Sequence, residues 1–470
     1  MVKKTKIVAT ISDLRCDVSF LKSLYDAGVN VFRMNTAHQT PENTLKAMKN
    51  MRDVSRKIPI IIDTKGPEIR TTELESEPIL VKRGDKIKFV GGTSKKTGGN
   101  IVYLNYDRFH KDIPVGSRIL YDDGEIEFDV VKKNNDSLIC NVKNNGEIKG
   151  KKSVNVPGVN LDLPSLTEKD KMYVEFSAKH NVDFIAHSFI RNKDDLIAVQ
   201  NILDRHKSKV KIIAKIENQD GVDNIDEILD HCSGIMVARG DLAIEIPAEN
   251  VPSIQKRLIK KAIMRRKIVI TATQMLHTMI ENPRPTRAEI SDIANAVYDG
   301  TDCIMLSGET AYGKYPLEAV KVMTKVAVEV EKNKSPFKDA AVKTLSSEIP
   351  NFIAQSAVKA SLELPIKAII TDTLTGRTAK YLAAFRGKPK IYALCYDERV
   401  MRELAFSYGV YADIVPKRKD SKPLFKEKLK DLVKKRVLKN DDLVAIVSGS
   451  FTPVHGASNL EISQVRDLLK

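Results

Sequence analysis

Short, near-continuous apolar runs recur through residues 1–335, separated by longer segments whose apolar positions fall at helical spacing. The runs lie at residues 6–11, 29–35, 58–64, 182–189, 211–216, 234–240, 268–274 and 302–308, and most are rich in Ile and Val. Continuous rather than alternating hydrophobicity predicts parallel strands buried on both faces. The segments between them, such as 19–27, 41–55, 167–180 and 251–265, predict amphipathic helices. Eight strands alternating with helices predict an α/β fold, a (β/α)8 barrel, whose active site lies at the C-terminal strand ends.

One interval breaks this rhythm. Between residues 68 and 162 the apolar runs become short and alternating, at 87–90, 101–104, 119–121, 126–131 and 137–142. Gly91-Gly92 and Asn144-Asn145-Gly146 supply turns between them, so the stretch predicts a small all-β domain inserted after the third strand. Gly66-Pro67 and Pro157-Gly158 bracket it as hinges. Beyond the charged stretch 331–338, a helix at 351–362 precedes strands at 367–372, 390–394, 411–415 and 443–447, which predicts an open α/β sheet. The expected division is a barrel from residues 1–67 and 163–335, a β lid at 68–162, and a C-terminal α/β domain at 336–470.

Composition narrows the partners. The chain has 470 residues, enough for three such units. Its net charge of +16 is spread along the whole length, aromatics make up only 6%, and Trp is absent, which argues against a specific nucleic-acid partner. Attraction of anionic substrates is the milder consequence. No apolar stretch is long enough for a membrane span, and the N-terminus has no signal-peptide pattern. The five cysteines lie far apart with no CxxC pair, as expected of free thiols in the cytoplasm.

The chemistry sits at the ends of the predicted strands. Lys215 and Glu217 are two apart, as are Arg239 and Asp241, so each pair is expected on one face of its strand. Two apolar strands thus end in a cation and an anion each, which fits either structural salt bridges or a divalent metal with Lys and Arg beside it for a phosphate. Other strands add Arg33 and Asn35, Asp63 and Thr64, Thr271 with Thr273 and Gln274, and Ser307 with Glu309. Six of the eight strands therefore deliver polar groups at one end only, and that convergence favours a site over isolated salt bridges. Oxygen donors alone, few in number, suit Mg²⁺ or Mn²⁺ rather than zinc. Residues 308–314 match a phosphate-binding P-loop until Tyr315, which lacks the hydroxyl for Mg²⁺, and the surrounding barrel does not suit that motif. At 373–378, Thr373, Thr375, Gly376, Arg377 and Thr378 between a strand and a helix fit either a phosphate cradle or an ordinary capping turn.

Long motifs in order make the chain similar to the pyruvate kinase family over its whole length. They are Arg33-Met-Asn35, Asp63-Thr-Lys-Gly-Pro-Glu-Ile-Arg70, Asn155-Val-Pro-Gly158, Lys215-Ile-Glu217, Met236-Val-Ala-Arg-Gly-Asp241, Ala272-Thr-Gln-Met-Leu276, Arg284-Pro-Thr-Arg-Ala-Glu289 and Ile304-Met-Leu-Ser-Gly-Glu-Thr310. The resemblance implies a homotetramer that converts phosphoenolpyruvate and ADP to pyruvate and ATP. By position it implies Glu217 and Asp241 as ligands of Mg²⁺ or Mn²⁺, Lys215 on the transferring phosphoryl group, and Arg33 on the substrate phosphate. Gly240, Asp241 and Thr273 are implied to hold phosphoenolpyruvate, and Arg70, Lys152, Asn35, Thr36, Ala37 and His38 to lie at the nucleotide. Thr273 and a water network near Ser307 and Glu309 are the expected sources of the proton for the enolate.

Departures from the family pattern carry their own expectations. Of the K⁺ ligands, Asn35, Asp63 and Thr64 match, but Ala37 stands where a Ser hydroxyl is implied, while Glu68 is of the K⁺-dependent kind. Ser153 and Ala243 replace frequent glycines, with local adjustment expected. The Thr373–Thr378 stretch resembles the region that binds sugar-phosphate effectors, with a second loop at 448–459. Two other functions compete: a barrel lyase or mutase acting on enolates of 2-oxo acids, for which a nucleotide lid is superfluous, and a non-enzymatic scaffold.

Overall fold

The structure, a computed structural model, describes residues 3–92, 95–159, 161–334, 349–418, 421–449 and 456–470. Eight parallel strands close a barrel: β1 (Lys6–Ile11), β2 (Val31–Asn35), β3 (Ile60–Asp63), β4 (Phe184–His187), β5 (Lys211–Ile216), β6 (Gly234–Ala238), β7 (Ile268–Ala272) and β8 (Cys303–Leu306). Each pairs with its neighbours in sequence, and β8 returns to β1. Val8, Val31, Ile61, Ile213, Met236, Ile270 and Met305 fill the interior, where the doubly buried Ile and Val runs predicted them. Phe406, from the C-terminal unit, closes the barrel floor against Phe184, with ring centroids 4.4 Å apart.

Two strands match their apolar runs and the other six are two to four residues shorter. Two of these differences matter. β6 stops at Ala238, where the chain enters the helix Arg239–Glu245, and β7 stops at Ala272, where Thr273 and Gln274 turn left-handed with φ of 67° and 54°. Apolar pattern reports burial, and burial continues past the last ladder hydrogen bond.

Between β3 and β4 the chain builds a six-stranded sheet in the order Val154–Asn155, Arg118–Tyr121, Ile126–Lys133, Ser137–Val142, Lys86–Val90, Ile101–Tyr103. Phe89, Phe109 and Phe128 centre its core. Ile79–Val81 pairs separately with Gly146–Ile148. These last two strands, and Val154–Asn155, carry too few residues for a period to show in the sequence.

The C-terminal unit is a five-stranded sheet in the order Val410–Ile414, Lys390–Cys395, Ile366–Thr373, Leu443–Gly449, Ala457–Gln464. The fifth strand pairs antiparallel and is largely polar, so its sequence did not mark it. The chain order reverses between Ile366–Thr373 and Leu443–Gly449, which puts a topological switch point at their C-terminal ends.

Buried lysines lie in the seam between the barrel floor and this sheet. Lys3 Nζ donates to Asn30 Oδ1 at 2.6 Å, and Lys6 Nζ donates to the Val410 carbonyl at 2.6 Å beneath the Tyr411 ring. Burial lowers Lys3 to about 7, with the Lys6 charge helping, and burial lowers Lys6 to about 8. A folded-state pKa below the ordinary 10.5 means that stability is complete only above 10.5 and is lost as pH falls through 8 and then 7. The thermal midpoint is therefore expected to rise between pH 6.5 and 9. Lys3→Met should flatten that rise by several degrees; an unchanged slope in calorimetry would count against a buried, uncharged Lys3.

Candidate active site

Four charged side chains form one chain across the C-terminal mouth of the barrel. Arg33, on β2, places Nε 2.6 Å from Asp63 Oδ2 and donates from Nη1 to Thr10 Oγ1 at 2.8 Å. Asp63, ending β3, presents its other oxygen to Lys215 Nζ at 3.1 Å, and Lys215 lies 2.9 Å from Glu217 Oε1. Lys215 also donates to Ser188 Oγ at 2.6 Å. Asp63 and Glu217 are each 1% exposed, so these charges are viable only because they alternate. Burial would raise Asp63, but Arg33 and Lys215 outweigh it and hold the carboxyl below its ordinary value. Burial would lower Lys215, yet Asp63 and Glu217 raise it above its ordinary value. Lys215 is thus a permanent cation and not a base.

Glu217 has a second tie. Its Oε2 accepts from the Phe189 N–H at 2.6 Å, and Phe189 holds a left-handed φ of 54°. The turn fits because Gly66 lies against it: a Cβ there would come within 2.8 Å of both Phe189 and Ser188. Asp241, in the first turn of Arg239–Glu245, is hydrogen-bonded to Glu217. Burial first, then the Glu217 charge, pushes its carboxyl up to about 7. Two neighbouring carboxylates that disfavour each other's charge are the donors a divalent cation would draw together. Among the described residues no group of three or more His, Cys, Asp or Glu could hold a metal, so water and substrate oxygens would complete the shell.

Several predicted residues are placed differently. Arg239 does not join Asp241, because helix rather than strand geometry separates their directions. Its guanidinium instead ties the loop after β7 to Asp292, at 2.6 Å from Asp292 Oδ1 and 2.7 Å from the Thr273 carbonyl. The Gly240 N–H donates to Thr273 Oγ1 at 2.7 Å, and that hydroxyl donates to the Ala272 carbonyl at 2.7 Å. Neither group is free to meet a substrate until one of those bonds opens. Glu309 spends its two oxygens on the Leu276 and Ser307 N–H groups, which makes it a loop strut. Lys314, of the P-loop-like stretch, pairs with Glu281 on the surface.

Thr36 is fully buried and donates to the Asp63 carbonyl, so its side chain faces the barrel wall rather than the cleft. Asn35 Oδ1 accepts from the Ala37 N–H at 3.0 Å, and Lys169 Nζ donates to the Ala37 carbonyl at 3.0 Å. The side chain of His38 lies outside the described residues. Thr64 Oγ1 meets His187 Nδ1 at 3.0 Å and accepts from the Ser188 N–H, leaving its carbonyl, which Ser188 Oγ also reaches. Burial lowers His187 to about 4, so its ring is neutral. Ser188 directly follows His187 at the end of β4, a polar pair like those of the other strand ends that the sequence reading did not single out.

A cleft of about 610 Å³ opens between these strand ends and the inserted sheet. Arg70 and Lys152 line it, with Arg70 bonded to Glu68 at 2.6 Å and Lys152 to Asp122 at 2.7 Å. Asp122 and Asp123 are both left-handed, at φ of 50° and 56°. Ser153, noted only as a glycine replacement, anchors that turn: its Oγ donates to Asp123 Oδ1 at 3.0 Å and accepts from the Asp123 N–H. At the other end of the molecule Thr373 Oγ1 accepts from Gly376 N at 2.8 Å, and Arg377 opens the helix Arg377–Ala384. Residues 450–455 of the second loop lie outside the described residues.

Comparison with known proteins gives the same answer along the whole chain. Residues 2–320 match the family model "Pyruvate kinase, barrel domain" and residues 351–461 match "Pyruvate kinase, alpha/beta domain". The chain belongs to the pyruvate kinase family. Pyruvate kinase from Borreliella burgdorferi is 52% identical across 100% of this chain and 98% of its own length. That from Geobacillus stearothermophilus is 42% identical across 100% of this chain and 81% of its own. The crystal structure of a pyruvate kinase from Cryptosporidium parvum superimposes with a TM-score of 0.93 at 36% identity, covering 98% of this chain and 96% of that one. The protein is accordingly a phosphotransferase of glycolysis, acting between phosphoenolpyruvate and ADP. No described helix is long and apolar enough to cross a membrane.

Proposed function

We propose that the chain Arg33–Asp63–Lys215–Glu217 is the phosphoryl-transfer centre, with the barrel (1–67, 163–335) as catalytic domain and residues 68–162 as a nucleotide lid. The observation that carries this is Lys215, a permanent cation held between two buried carboxylates at the barrel mouth. Arg33 and Lys215 attract the phosphate of phosphoenolpyruvate, and Lys215 faces the charge that develops on the phosphoryl group as it passes to ADP. Glu217 and Asp241 would hold Mg²⁺ or Mn²⁺, which when bound supplies Lewis-acid neutralisation of the phosphoryl oxygens. The N–H groups at Asp241 and, after displacement of Thr273, at Gly240 orient the substrate carboxylate. Arg70 and Lys152 hold the diphosphate from the lid side, with the backbone at Thr36 and Ala37 and the side chains of Asn35 and His38 nearby. Thr273 remains the candidate for delivering a proton to the enolate, since its hydroxyl is the mobile donor at that end.

The reading extends to a homotetramer in the cytoplasm, with the C-terminal domain (336–470) carrying a sugar-phosphate effector at Thr373, Thr375, Gly376, Arg377 and Thr378. The test is pyruvate formation from phosphoenolpyruvate, dependent on both ADP and Mg²⁺ and lost on Lys215→Met. Product without ADP would favour a lyase, and a folded but inactive protein would favour a scaffold.

A K⁺ site is proposed at Asn35, Asp63 and the Thr64 carbonyl. Residue 37 adds a methyl where a fourth oxygen belongs, and the neighbouring Ala37 carbonyl already accepts from Lys169. K⁺ should therefore stimulate turnover with a high half-saturating concentration. Ala37→Ser should lower that concentration about fivefold, roughly 1 kcal/mol for one restored oxygen ligand. Full activity in Na⁺- and K⁺-free buffer would dismiss the site.

A further inference from the structure

A tight turn follows the strand Arg118–Tyr121 and reaches the cleft, closed by the Gly124 N–H on the Tyr121 carbonyl at 3.2 Å. Its central residues, Asp122 and Asp123, are both left-handed, and both line the cleft. Residues with a Cβ hold that conformation in succession only where neighbours fix it. Here the neighbour is Ser153, brought alongside because Val154 pairs antiparallel with Tyr121. The Asp122 N–H donates to the Ser153 carbonyl at 3.0 Å, and the Ser153 hydroxyl serves both the N–H and the carboxylate of Asp123.

The turn so fixed aims Asp122 at Lys152. Asp122 Oδ2 lies 2.7 Å from Lys152 Nζ, with 16% of the Asp122 side chain and 36% of the Lys152 side chain exposed. That shielding makes the pair stronger than one on the open surface, yet leaves the ammonium within reach of the cleft. The Lys152 backbone is held separately. Its N–H donates to Thr71 Oγ1 at 3.0 Å, and its carbonyl accepts from the Thr71 N–H at 2.9 Å. Asp122 therefore sets the partner of the Lys152 head group but not the place of its backbone.

An incoming diphosphate meets this pair. At Lys152 it would stand beside the carboxylates of Asp122 and Asp123, and the Asp123 charge also reaches Asp241 at the metal end of the cleft. Anions gathered on one ammonium repel each other, so the diphosphate and Asp122 compete for Lys152. Arg70 differs: a guanidinium has five N–H donors and can keep Glu68 while meeting a phosphate.

We propose that Asp122, set by the Ser153 clasp, is a positioning residue for the nucleotide: it holds the Lys152 ammonium in the nucleotide-free cleft and competes with the diphosphate for it. This rests on the assignment of Lys152 to the nucleotide above. The consequence runs opposite to that of an ordinary binding residue, because removing the Asp122 charge should tighten the nucleotide rather than weaken it. ATP, with its additional phosphate, should be retained more firmly as well.

The experiment is calorimetry of the full chain with ADP and Mg²⁺ at fixed ionic strength. Asp122→Asn is expected to lower the Kd for ADP about fivefold, the scale of one part-shielded ion pair, and Asp122→Glu to restore the parent value. In steady state Asp122→Asn should lower KM for ADP and the concentration at which ATP inhibits, while half-saturation by phosphoenolpyruvate stays unchanged. The parent, Asp122→Asn, Lys152→Met and the double variant close a cycle, and on the Lys152→Met background the Asn substitution should have no effect. Equal tightening on both backgrounds would make Asp122 a general repulsion and overturn the proposal. Unchanged or weaker ADP binding by a cooperatively folding Asp122→Asn protein would overturn it too. Should that variant fail to fold, Ser153→Ala loosens the same turn and is expected to tighten ADP to a smaller extent; no change there would overturn the clasp. ADP binding indifferent to Lys152→Met would overturn the nucleotide assignment above, and this proposal with it.

Discussion

Lys215→Met is expected to lower kcat by about 10³-fold, the scale on which a single preorganised donor at a developing charge acts. The size follows from where the ammonium sits. It is, among the described residues, the cation placed between Asp63 and Glu217, 3.1 and 2.9 Å away, and with only 11% of its side chain exposed it is weakly screened by water. Methionine fills the same volume without the charge. The variant also leaves two buried carboxylates facing each other with one cation fewer, a loss of up to about 3–5 kcal/mol for a broken buried pair. Arg33 still holds Asp63 at 2.6 Å, so the fold should survive with a lowered unfolding midpoint. Steady-state kinetics with urea unfolding on the same preparation separates the two effects. A kcat within tenfold of the parent would remove Lys215 from the transfer step.

Glu217→Gln is expected to weaken Mn²⁺ binding by about 10²-fold or more, measured by calorimetry or electron paramagnetic resonance without substrates. The substitution isolates charge from architecture. An amide oxygen can still accept from the Phe189 N–H, so the left-handed turn at Phe189 keeps its partner. What disappears is one of two carboxylates in a site where the described residues supply no third. Asp241 loses the neighbour whose charge, after burial, holds its carboxyl up near 7, and it should ionise more readily. Mn²⁺ affinity within threefold of the parent would show that the cation is held elsewhere.

Much of the site was legible because family motifs and strand ends coincide. Arg33, Asp63, Lys215, Glu217 and Asp241 do converge at the barrel mouth. Arg239 shows where alternation fails: residues two apart share a face only while the strand lasts, and β6 gives way to a helix at that residue. Thr36, Thr64 and Gly240 show a second limit. Their polar groups are spent on Asp63, Ser188 and Thr273, partners that sequence proximity does not announce. Ser153 is the converse, a glycine replacement whose hydroxyl holds the lid turn at Asp123.

The sequence by itself determined the eight-stranded barrel, because continuous Ile and Val runs are stable only as strands covered on both faces. It also determined the class of chemistry, since oxygen donors beside Lys and Arg suit a hard cation and a phosphate. Tertiary structure alone decided which charges are free to act. The Asp63 bridge to Lys215 and the meeting of Glu217 with Asp241 each join residues from separate strand ends. The physical reason is that the availability of a polar atom depends on burial and on every neighbour within hydrogen-bond reach, and those neighbours are set by folding rather than by position in the chain.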